Sequence, residues 1–312
     1  MPRKLIAPLL VVLLLVAGCQ QRFTGTTLTI TTGSPGGVYD QLGTTLAGYW
    51  SASLGVDTHL DNSAGSVQNL DRLLSGQADV AISAADAAAD RYAQPDGRRL
   101  RALARIHDDY IQVVVPAASD VGGLAQLRGL RVSVGPAGSG VRVIADRLLA
   151  EVGLGGANDV QRSELSIDEA PNALYAGRID AFFWSGGIPT EQVVELAHRM
   201  PIRLVDLSDV APAVTRQWPV YQAVTVPATA SSYQLPGPVT TLSVPNFLLV
   251  TDRMPDALAQ SLTAEVFNAQ SVLAATNRAA RSIDVRSGIE TMPIPLDPGA
   301  LAYYRSAHFV SG

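Results

Sequence analysis

The chain is poor in the residues that build most catalytic centres. It has one cysteine, Cys19, one lysine, Lys4, and four histidines in 312 residues. A single cysteine excludes a disulfide within the chain, and a protein of this length buries enough core without one. Because Lys4 stands at the very start, the remainder supplies neither a Schiff-base lysine nor a P-loop lysine.

Recognisable catalytic and metal-binding patterns are also missing from the sequence. No two histidines have H-x-x-x-H spacing, no serine lies in G-x-S-x-G, and the carboxylates are scattered. These patterns would signal a zinc site, a nucleophile elbow and an acid–base pair. We therefore predict no catalytic residue, no metal and no cofactor. The enzymatic alternative is an exported hydrolase that uses Ser139 or Ser185 as nucleophile.

The N-terminus has the pattern of a cleaved lipoprotein signal. Arg3 and Lys4 precede a short apolar run, which ends at Val16-Ala17-Gly18-Cys19. The run is shorter than the ~20 residues needed to cross a bilayer. We predict a signal peptide over 1–18, lipidation of Cys19, and a tether over 19–27 that holds the protein at the outer face of the cell membrane. An uncleaved N-terminal anchor is the alternative, and it too would place the rest of the chain outside the cytoplasm.

The charge of the chain argues against a nucleic-acid partner. Loss of Arg3 and Lys4 with the signal would lower the basic residues from 23 to 21 against 28 acidic residues, and the formal charge from −5 to −7. No basic stripe remains to follow a phosphate backbone. Apolar residues make up 47% and charged residues 16% of the chain, as in a well-buried globular protein.

Short apolar runs alternate with helix-like runs along the chain, which predicts α/β sheets of largely parallel strands. The runs are LTITT, ADVAIS, IQVVVP, RVSVG, IDAFFW, IRLVDL and VPNFLLV. Two glycine-rich turns, in TITTGSPGGVYDQLG and VSVGPAGSGVRVIADRLL, each join such a run to a helix-like segment. The repeat of this module predicts two lobes with a ligand cleft between them.

The second glycine turn has two possible roles. Gly138-Ser139-Gly140 precedes a helix, whose free N–H groups and dipole suit an anion, but a serine there also serves as an ordinary N-cap. Arg142, in the same helix, either neutralises a carboxylate or is solvated.

The first glycine turn does not fit the G-x-G-x-x-G nucleotide fingerprint. Hydrogen-bonding side chains near it, Ser34, Tyr39, Ser66 and Asn69, suit a small polar ligand. Tyr39 as a half-buried core residue and Ser66 as a helix cap are the structural alternatives.

Five stretches together resemble one family, the TAXI solute-binding proteins that serve tripartite (TRAP) transporters. In order they are TTGSPGGVYDQLG, NSAGSVQNLDRLLSGQADVAISAADAAAD, LRGLRVSVGPAGSGVRVIADRLL, LYAGRIDAFFWSGGIPT and IPLDPGALAYYR. The resemblance implies a type II periplasmic-binding-protein fold, with two α/β lobes of mixed sheets joined by a two-segment hinge. Lobe 1 would comprise residues 28–116 and 213–312, and lobe 2 residues 117–212.

The resemblance also implies a site and a function. The ligand-binding residues carried over or weighed above are Ser34, Gly37, Tyr39, Ser66, Asn69, Ser139, Gly140, Arg142 and Trp184. The implied ligand is a small organic anion such as glutamate or 2-oxoglutarate, which the closed receptor presents to TRAP membrane subunits.

The sequence departs from the family at five residues: Asp40, Ala84 with Ala85, Val141 and Asp297. These departures leave the ligand open. Phe183 and Trp184 either wall the cleft or belong to the core. The alternative function is a co-receptor for a membrane histidine kinase.

Overall fold

The computed structural model describes residues 21–229 and 232–307. The signal peptide predicted over 1–18 and the predicted lipidation site Cys19 lie outside this part of the chain. Within the described residues, ten β-strands alternate with eleven α-helices and three 3-10 turns, as expected for the α/β class.

The strands, in chain order, are β1 Thr27–Thr31, β2 Asp57–Asp61, β3 Val80–Ala84, β4 Leu100–Pro116, β5 Arg131–Ser133, β6 Gln161–Ser163, β7 Ala181–Gly186, β8 Ile202–Leu204, β9 Gln222–Val226 and β10 Val239–Thr251. The helices are α1 Val38–Leu54, α2 Ser66–Ser75, α3 Ala85–Tyr92, α4 Gly140–Glu151, α5 Ala170–Tyr175, α6 Glu191–Arg199, α7 Ala211–Gln217, α8 Asp256–Asn268, α9 Gln270–Thr276, α10 Val285–Gly288 and α11 Pro298–Ser306.

All ten strands form one mixed sheet with the order β2-β1-β3-β10-β4-β7-β5-β6, in which β8 also pairs with β4 and β9 with β10. The pairs β1–β2, β1–β3, β5–β6 and β5–β7 are parallel. Every pair that includes β4 or β10 is antiparallel. The sheet is thus less parallel than the alternation predicted, because two long strands run against the parallel groups at its two ends.

The two long strands β4 and β10 connect the two ends of the sheet. The first part of β4 pairs with β10, and its last part, from Tyr110 to Pro116, pairs with β7 and β8. The first residues of β10, Val239–Ser243, pair with β9. The change of partner in β4 thus falls at Tyr110, before residue 116, where the first lobe boundary was predicted, and the boundaries at 116 and 212 stay a prediction.

Both glycine-rich turns join a strand to a helix, as the sequence predicts. The first lies between β1 and α1, where Gly37 is the extended N-cap residue and Gly55 ends the helix in the left-handed conformation. The second lies between β5 and α4, which buries Val141, Ile144, Ala145, Leu148 and Leu149 on one face. Both turns lie at the carboxyl ends of parallel strands, where α/β proteins bind ligands.

The core consists of three clusters of buried apolar side chains. One packs α1, α8 and α11 against β1, β3, β4 and β10. Another packs α5 and α6 against β7 and β8. The largest spans both ends of the sheet, from α2 and α3 to α4 and α7. This shared cluster fixes the two glycine turns opposite each other.

Candidate ligand-binding site

A partly enclosed cavity of about 70 Å³ lies where the two glycine turns face each other. Its walls come from the two turns, the start of α2, the end of β3, the middle of β4 and the second half of β7. The lining residues are Gly33, Ser34, Gly37, Val38, Tyr39, Ala64, Gly65, Ser66, Ala84, Asp109, Pro136, Ser139, Gly140, Val141, Ser166, Ile167, Trp184 and Ser185. A single water needs about 10–15 Å³ on this measure, so the cavity holds a small ligand.

The second glycine turn also faces the turn before α2, and these two opposing turns touch at glycines. Gly65 has φ +128°, a conformation that side chains rarely adopt, and a Cβ atom on it would lie 3.5 Å from Ser139 Cα. A Cβ on Gly140 would approach Ser66 Oγ to 2.9 Å. The N–H groups of Val67 and Gln68, in the first turn of α2, both donate to Gly138 O at 3.1 Å. Glycine is needed here because two backbones meet at one end of the cavity.

Ser66 and Ser139, two of the three serines predicted as ligand contacts, line the cavity and also have partners within the protein. Ser139 Oγ donates to Pro136 O at 2.7 Å and accepts the N–H of Arg142 at 3.2 Å, so it caps α4. Ser66 Oγ accepts the N–H of Ala84 at 3.0 Å. Capping is therefore present at Ser139, and its role in binding stays a prediction.

Tyr39 reaches across the floor of the cavity. Its hydroxyl lies 3.1 Å from Ser66 Oγ and donates to Asn246 Oδ1 of β10. Burial, and next the charge of Asp109, raise the pKa of Tyr39 well above its usual value. The phenol therefore stays protonated and holds its donor towards Asn246.

Seven of the nine predicted contacts line the cavity: Ser34, Gly37, Tyr39, Ser66, Ser139, Gly140 and Trp184. Asn69 is fully buried behind the wall, where Oδ1 accepts from Thr31 and Ser63 and Nδ2 donates to the carbonyls of Thr32 and Ile82. All its hydrogen-bonding capacity is used there. Asn69 thus positions the turns instead of facing the cavity.

Arg142 is the second predicted contact outside the lining. Its guanidinium pairs with Asp146 at 2.8 Å and with Glu164 at 2.7 Å. These contacts place the charge on the outer side of α4. Asp146 lies one helical turn from Arg142, and Glu164 is distant along the chain. The sequence alone therefore does not show that both acids contact this arginine.

The aromatic residues Phe183 and Trp184, in the middle of β7, have different surroundings. Trp184 lines the cavity, and its indole N–H donates to Thr190 Oγ1 at 2.9 Å. Phe183 is buried in the cluster that spans the sheet. Alternation along a strand explains the difference, because successive side chains point to opposite faces.

Asp109 is a cavity residue that the sequence analysis did not identify. Its Oδ2 accepts from Ser185 Oγ at 3.3 Å, and its Oδ1 lies 3.3 Å from Nε2 of the buried His107. That second approach lacks hydrogen-bond geometry, since Asp109 Oδ1 and both ring nitrogens of His107 have no hydrogen-bond partner in the described structure. The available signal was a pair of aspartates, Asp108 and Asp109, within a strand of mainly apolar residues.

The arrangement does not assemble a hydrolytic centre from the two candidate nucleophiles. A serine nucleophile needs an imidazole as its base. Ser185 donates to a carboxylate and Ser139 to a carbonyl, and no histidine is recorded as hydrogen-bonding to either hydroxyl in residues 21–229 and 232–307. The same residues contain no group of three or more His, Cys, Asp or Glu that could hold a metal ion.

A second, larger cavity of about 560 Å³ adjoins the first and shares Gly37, Val38, Ile167 and Trp184 with it. Its far wall is formed by α9 and the turn that follows, including Asn277 and Arg278. The small cavity therefore opens into a wider, more polar space.

Solved structures of solute-binding proteins have the same fold. MatC from Rhodopseudomonas palustris with bound malate aligns over 92% of this chain and 97% of its own, with a TM-score of 0.57 and 15% identity. PhnD1 from Prochlorococcus marinus (MIT 9301), in complex with methylphosphonate, aligns over 91% and 99%, with a TM-score of 0.54 and 14% identity. The periplasmic aliphatic sulphonate binding protein SsuA from Escherichia coli aligns over 90% and 79%, with a TM-score of 0.50 and 17% identity.

At these identities the similarity shows the fold, a mixed α/β fold of the periplasmic-binding-protein type. The family assignment rests on sequence, and it is broader than the TAXI resemblance: residues 30–307 match the NMT1-like family. The chain therefore belongs to the NMT1-like family.

Proposed function

We propose that the protein is a lipid-anchored extracytoplasmic receptor that captures a small organic anion, similar to glutamate or 2-oxoglutarate, and presents it to a TRAP-type membrane transporter. The observation that carries the proposal is the cavity itself, which is built from glycine turns at both ends of one periplasmic-binding-protein sheet. The similar solved proteins MatC, PhnD1 and SsuA are described with malate, methylphosphonate and aliphatic sulphonates, which are all small acids.

The cavity has donors for an acid but no basic side chain in its wall. The lining residues include neither arginine nor lysine. Helices α1 and α4 begin at the cavity, and the first N–H groups of a helix have no acceptor within it. These N–H groups, with the positive ends of the two helix dipoles, are suited to a carboxylate or another small oxyanion.

The long strands β4 and β10 supply the two hinge segments of this receptor. We place the hinge where each strand changes partners, near Asp109–Tyr110 in β4 and Ser243–Asn246 in β10. Ligand that contacts both glycine turns would favour the closed arrangement by the contacts that only this arrangement provides. The closed conformation of the receptor is then the one that the membrane partner recognises.

Ligand capture is tested by thermal unfolding of the detergent-purified full-length protein with single acids. The panel contains glutamate, glutamine, 2-oxoglutarate, malate, succinate, methylphosphonate and ethanesulfonate. A ligand that binds only the folded protein stabilises it by ~2.7 kcal/mol at a hundredfold excess over Kd. We expect a shift with at least one acid, abolished by Ala64→Trp, which fills the cavity, and retained in Ala52→Trp, which lies on the exposed face of α1. The absence of a shift with every acid would contradict the proposal.

The lipid anchor and the partner have separate tests. Cys19→Ser should release the protein from the membrane fraction, and a variant that stays membrane-bound would contradict lipidation.

Cross-linking on intact cells with ligand present should join the receptor to a multi-spanning permease subunit, identified by mass spectrometry. A histidine kinase as the cross-linked protein would instead assign the receptor to sensing.

A further inference from the structure

Asp109 places a buried negative charge in the wall of the cavity. The residue is 5% exposed, yet it lines the cavity beside Tyr39, Trp184 and Ser185. Tyr39, the other ionisable lining residue, has its pKa raised and is neutral, so Asp109 is the one charged group among the described lining residues. A plain dicarboxylate would therefore meet a like charge as soon as it entered.

The carboxylate of Asp109 is incompletely satisfied by the protein. One oxygen accepts from Ser185 Oγ at 3.3 Å, a long contact, and the other has no hydrogen-bond donor in the described residues. Buried carboxylates normally accept two or more hydrogen bonds, and leaving one oxygen without a donor is costly. Oδ1 is itself shielded from the cavity beside His107, so the acceptor capacity left for a donor on the ligand is at Oδ2, whose one partner is the long Ser185 contact.

His107 does not supply the missing donor. Its ring is fully buried and Nε2 lies 3.3 Å from Asp109 Oδ1, but the angle is not that of a hydrogen bond. The ring packs edge-on against Tyr39, with 6.0 Å between the centroids, and so supports the cavity wall.

The two sides of the cavity thus have opposite polarity. The starts of α1 and α4 offer backbone N–H groups and positive dipole ends, whereas Asp109 offers a charged acceptor. We propose that Asp109 binds a protonated nitrogen, and that the ligand is a small zwitterion, an aminocarboxylate whose acid group lies at the helix starts. This inference rests on the proposed receptor function and narrows its ligand class.

The test compares acids that differ only in one amino group. Isothermal titration of the full-length protein in detergent would use glutamate with glutarate, aspartate with succinate, and 4-aminobutyrate with butyrate. We expect at least one amino member to bind at least tenfold more tightly than its partner. If the amine-free acids bind as tightly or more tightly, the inference fails while the receptor proposal stands. If no member of either series binds, and the thermal panel above is also negative, both fail.

Asp109→Asn provides the matching variant, since it keeps the shape and removes the charge. We expect it to weaken binding of the preferred amino ligand at least thirtyfold. The Kd values of each amino acid and its amine-free partner should then lie within threefold of each other. Asp252→Asn, a surface acid that pairs with Arg99 at the far end of β10, should leave both affinities unchanged. Without ligand, Asp109→Asn should melt no lower than the wild type, because it relieves an unsatisfied charge. Unchanged discrimination in a folded Asp109→Asn would overturn the inference, and the ligand comparison in the wild type decides it if the variant does not fold.

Discussion

At the scale of single residues, the hydroxyl of Ser139 has a structural partner on each side. It accepts the N–H of Arg142, which caps α4, and it donates to Pro136 O while lining the cavity. Residues in this position commonly serve both a helix and a ligand, because the first-turn N–H groups and the serine point the same way. A substitution can therefore separate the two roles only if stability and affinity are both measured.

Ser139→Ala should lower the free energy of unfolding by about 1 kcal/mol, the usual cost of a lost N-cap. It should also weaken ligand binding by about 1–2 kcal/mol, as expected when a hydrogen bond to a charged group is lost. Denaturant unfolding and calorimetric titration measure the two effects. Asp284→Ala removes a comparable cap from α10, away from the cavity, and should reduce stability alone. An unchanged affinity in Ser139→Ala would assign the serine to capping only.

At the scale of elements, α3, α4 and the chain before β9 are joined by one buried ionic group. Asp86 Oδ2 accepts from Tyr221 at 2.5 Å, and Arg147 donates to Tyr221 at 2.8 Å and pairs with Asp90 at 2.6 Å. The Arg147 guanidinium also lies 4.7 Å from the centre of the Trp218 ring. Burial raises the pKa of Asp86, whereas Tyr221 and Arg147 act in the opposite direction.

Arg147→Met should lower the free energy of unfolding by about 3 kcal/mol, because it leaves the Asp86 carboxylate buried without its cation. The double variant Asp86→Asn with Arg147→Met should recover part of this loss, since no charge then remains buried. Chemical denaturation measures all three proteins. Arg216→Met removes an exposed arginine from α7 and should change stability little. Equal losses in Arg147→Met and Arg216→Met would contradict this account.

A second ionic contact joins β5 to the turn before β7 and makes the stability of the protein depend on pH. Arg131 donates to Asp180 from the side chain and from the backbone N–H, and these bonds lower the pKa of Asp180 below its usual value. A lowered pKa in the folded protein adds stability above the unfolded value near 3.8, and this stability is lost as the pH falls through the folded pKa.

Asp180→Asn should therefore be less stable than the wild type at neutral pH, with the difference shrinking below about pH 4, where the unfolded carboxyl becomes protonated. Urea unfolding at several pH values measures the difference. Asp120→Asn, an exposed change outside this contact, is the comparison. A difference between wild type and Asp180→Asn that stays constant down to pH 2 would mean that the ionised carboxylate is not what stabilises the strand.

The elements that the sequence predicted and those it missed differ in their position in the sheet. The apolar runs became central strands, including the last part of β4 and the core of β10. The strands β2, β6 and β9 were missed because DTHLD, QRS and QAVTV each pair with a single neighbouring strand, where little side-chain area is buried and polar residues suffice. The glycine turns were predicted correctly, because their backbone requirements appear directly in the sequence.

At the scale of the whole molecule, the sequence could not predict that the wall of the cavity contains a carboxylate. Asp109 lies in β4, and its neighbours Ser185 and Tyr39 come from two other elements, β7 and α1. Only the folded sheet shows that this acid, and not Asp108 beside it, lines the small cavity. Asp108 instead pairs with Arg105 and lines the larger, adjoining cavity. Strand alternation separates the two, but the sequence does not say which face carries the ligand.

In the proposed receptor, closure should depend on Gly65, where the turn before α2 meets the second glycine turn. Its φ of +128° places it in a region that other residues enter only at a cost of about 1–3 kcal/mol, and a Cβ there would lie 3.5 Å from Ser139 Cα across the contact. Gly65→Ala should reduce ligand affinity about tenfold or more, measured by calorimetry. It should also weaken the decrease in radius of gyration that we expect in small-angle scattering when ligand is added.

Gly76→Ala is the matched comparison for this prediction. Gly76 ends the same helix, α2, with φ +80°, and a Cβ there would meet no atom within 4 Å. Both variants strain the backbone and should unfold more easily, but only Gly65 lies between the opposing turns. Affinity should therefore fall in Gly65→Ala and stay near the wild-type value in Gly76→Ala. Equal affinities in the two variants would mean that closure does not pass through this contact, and that ligand is held by one half of the cavity alone.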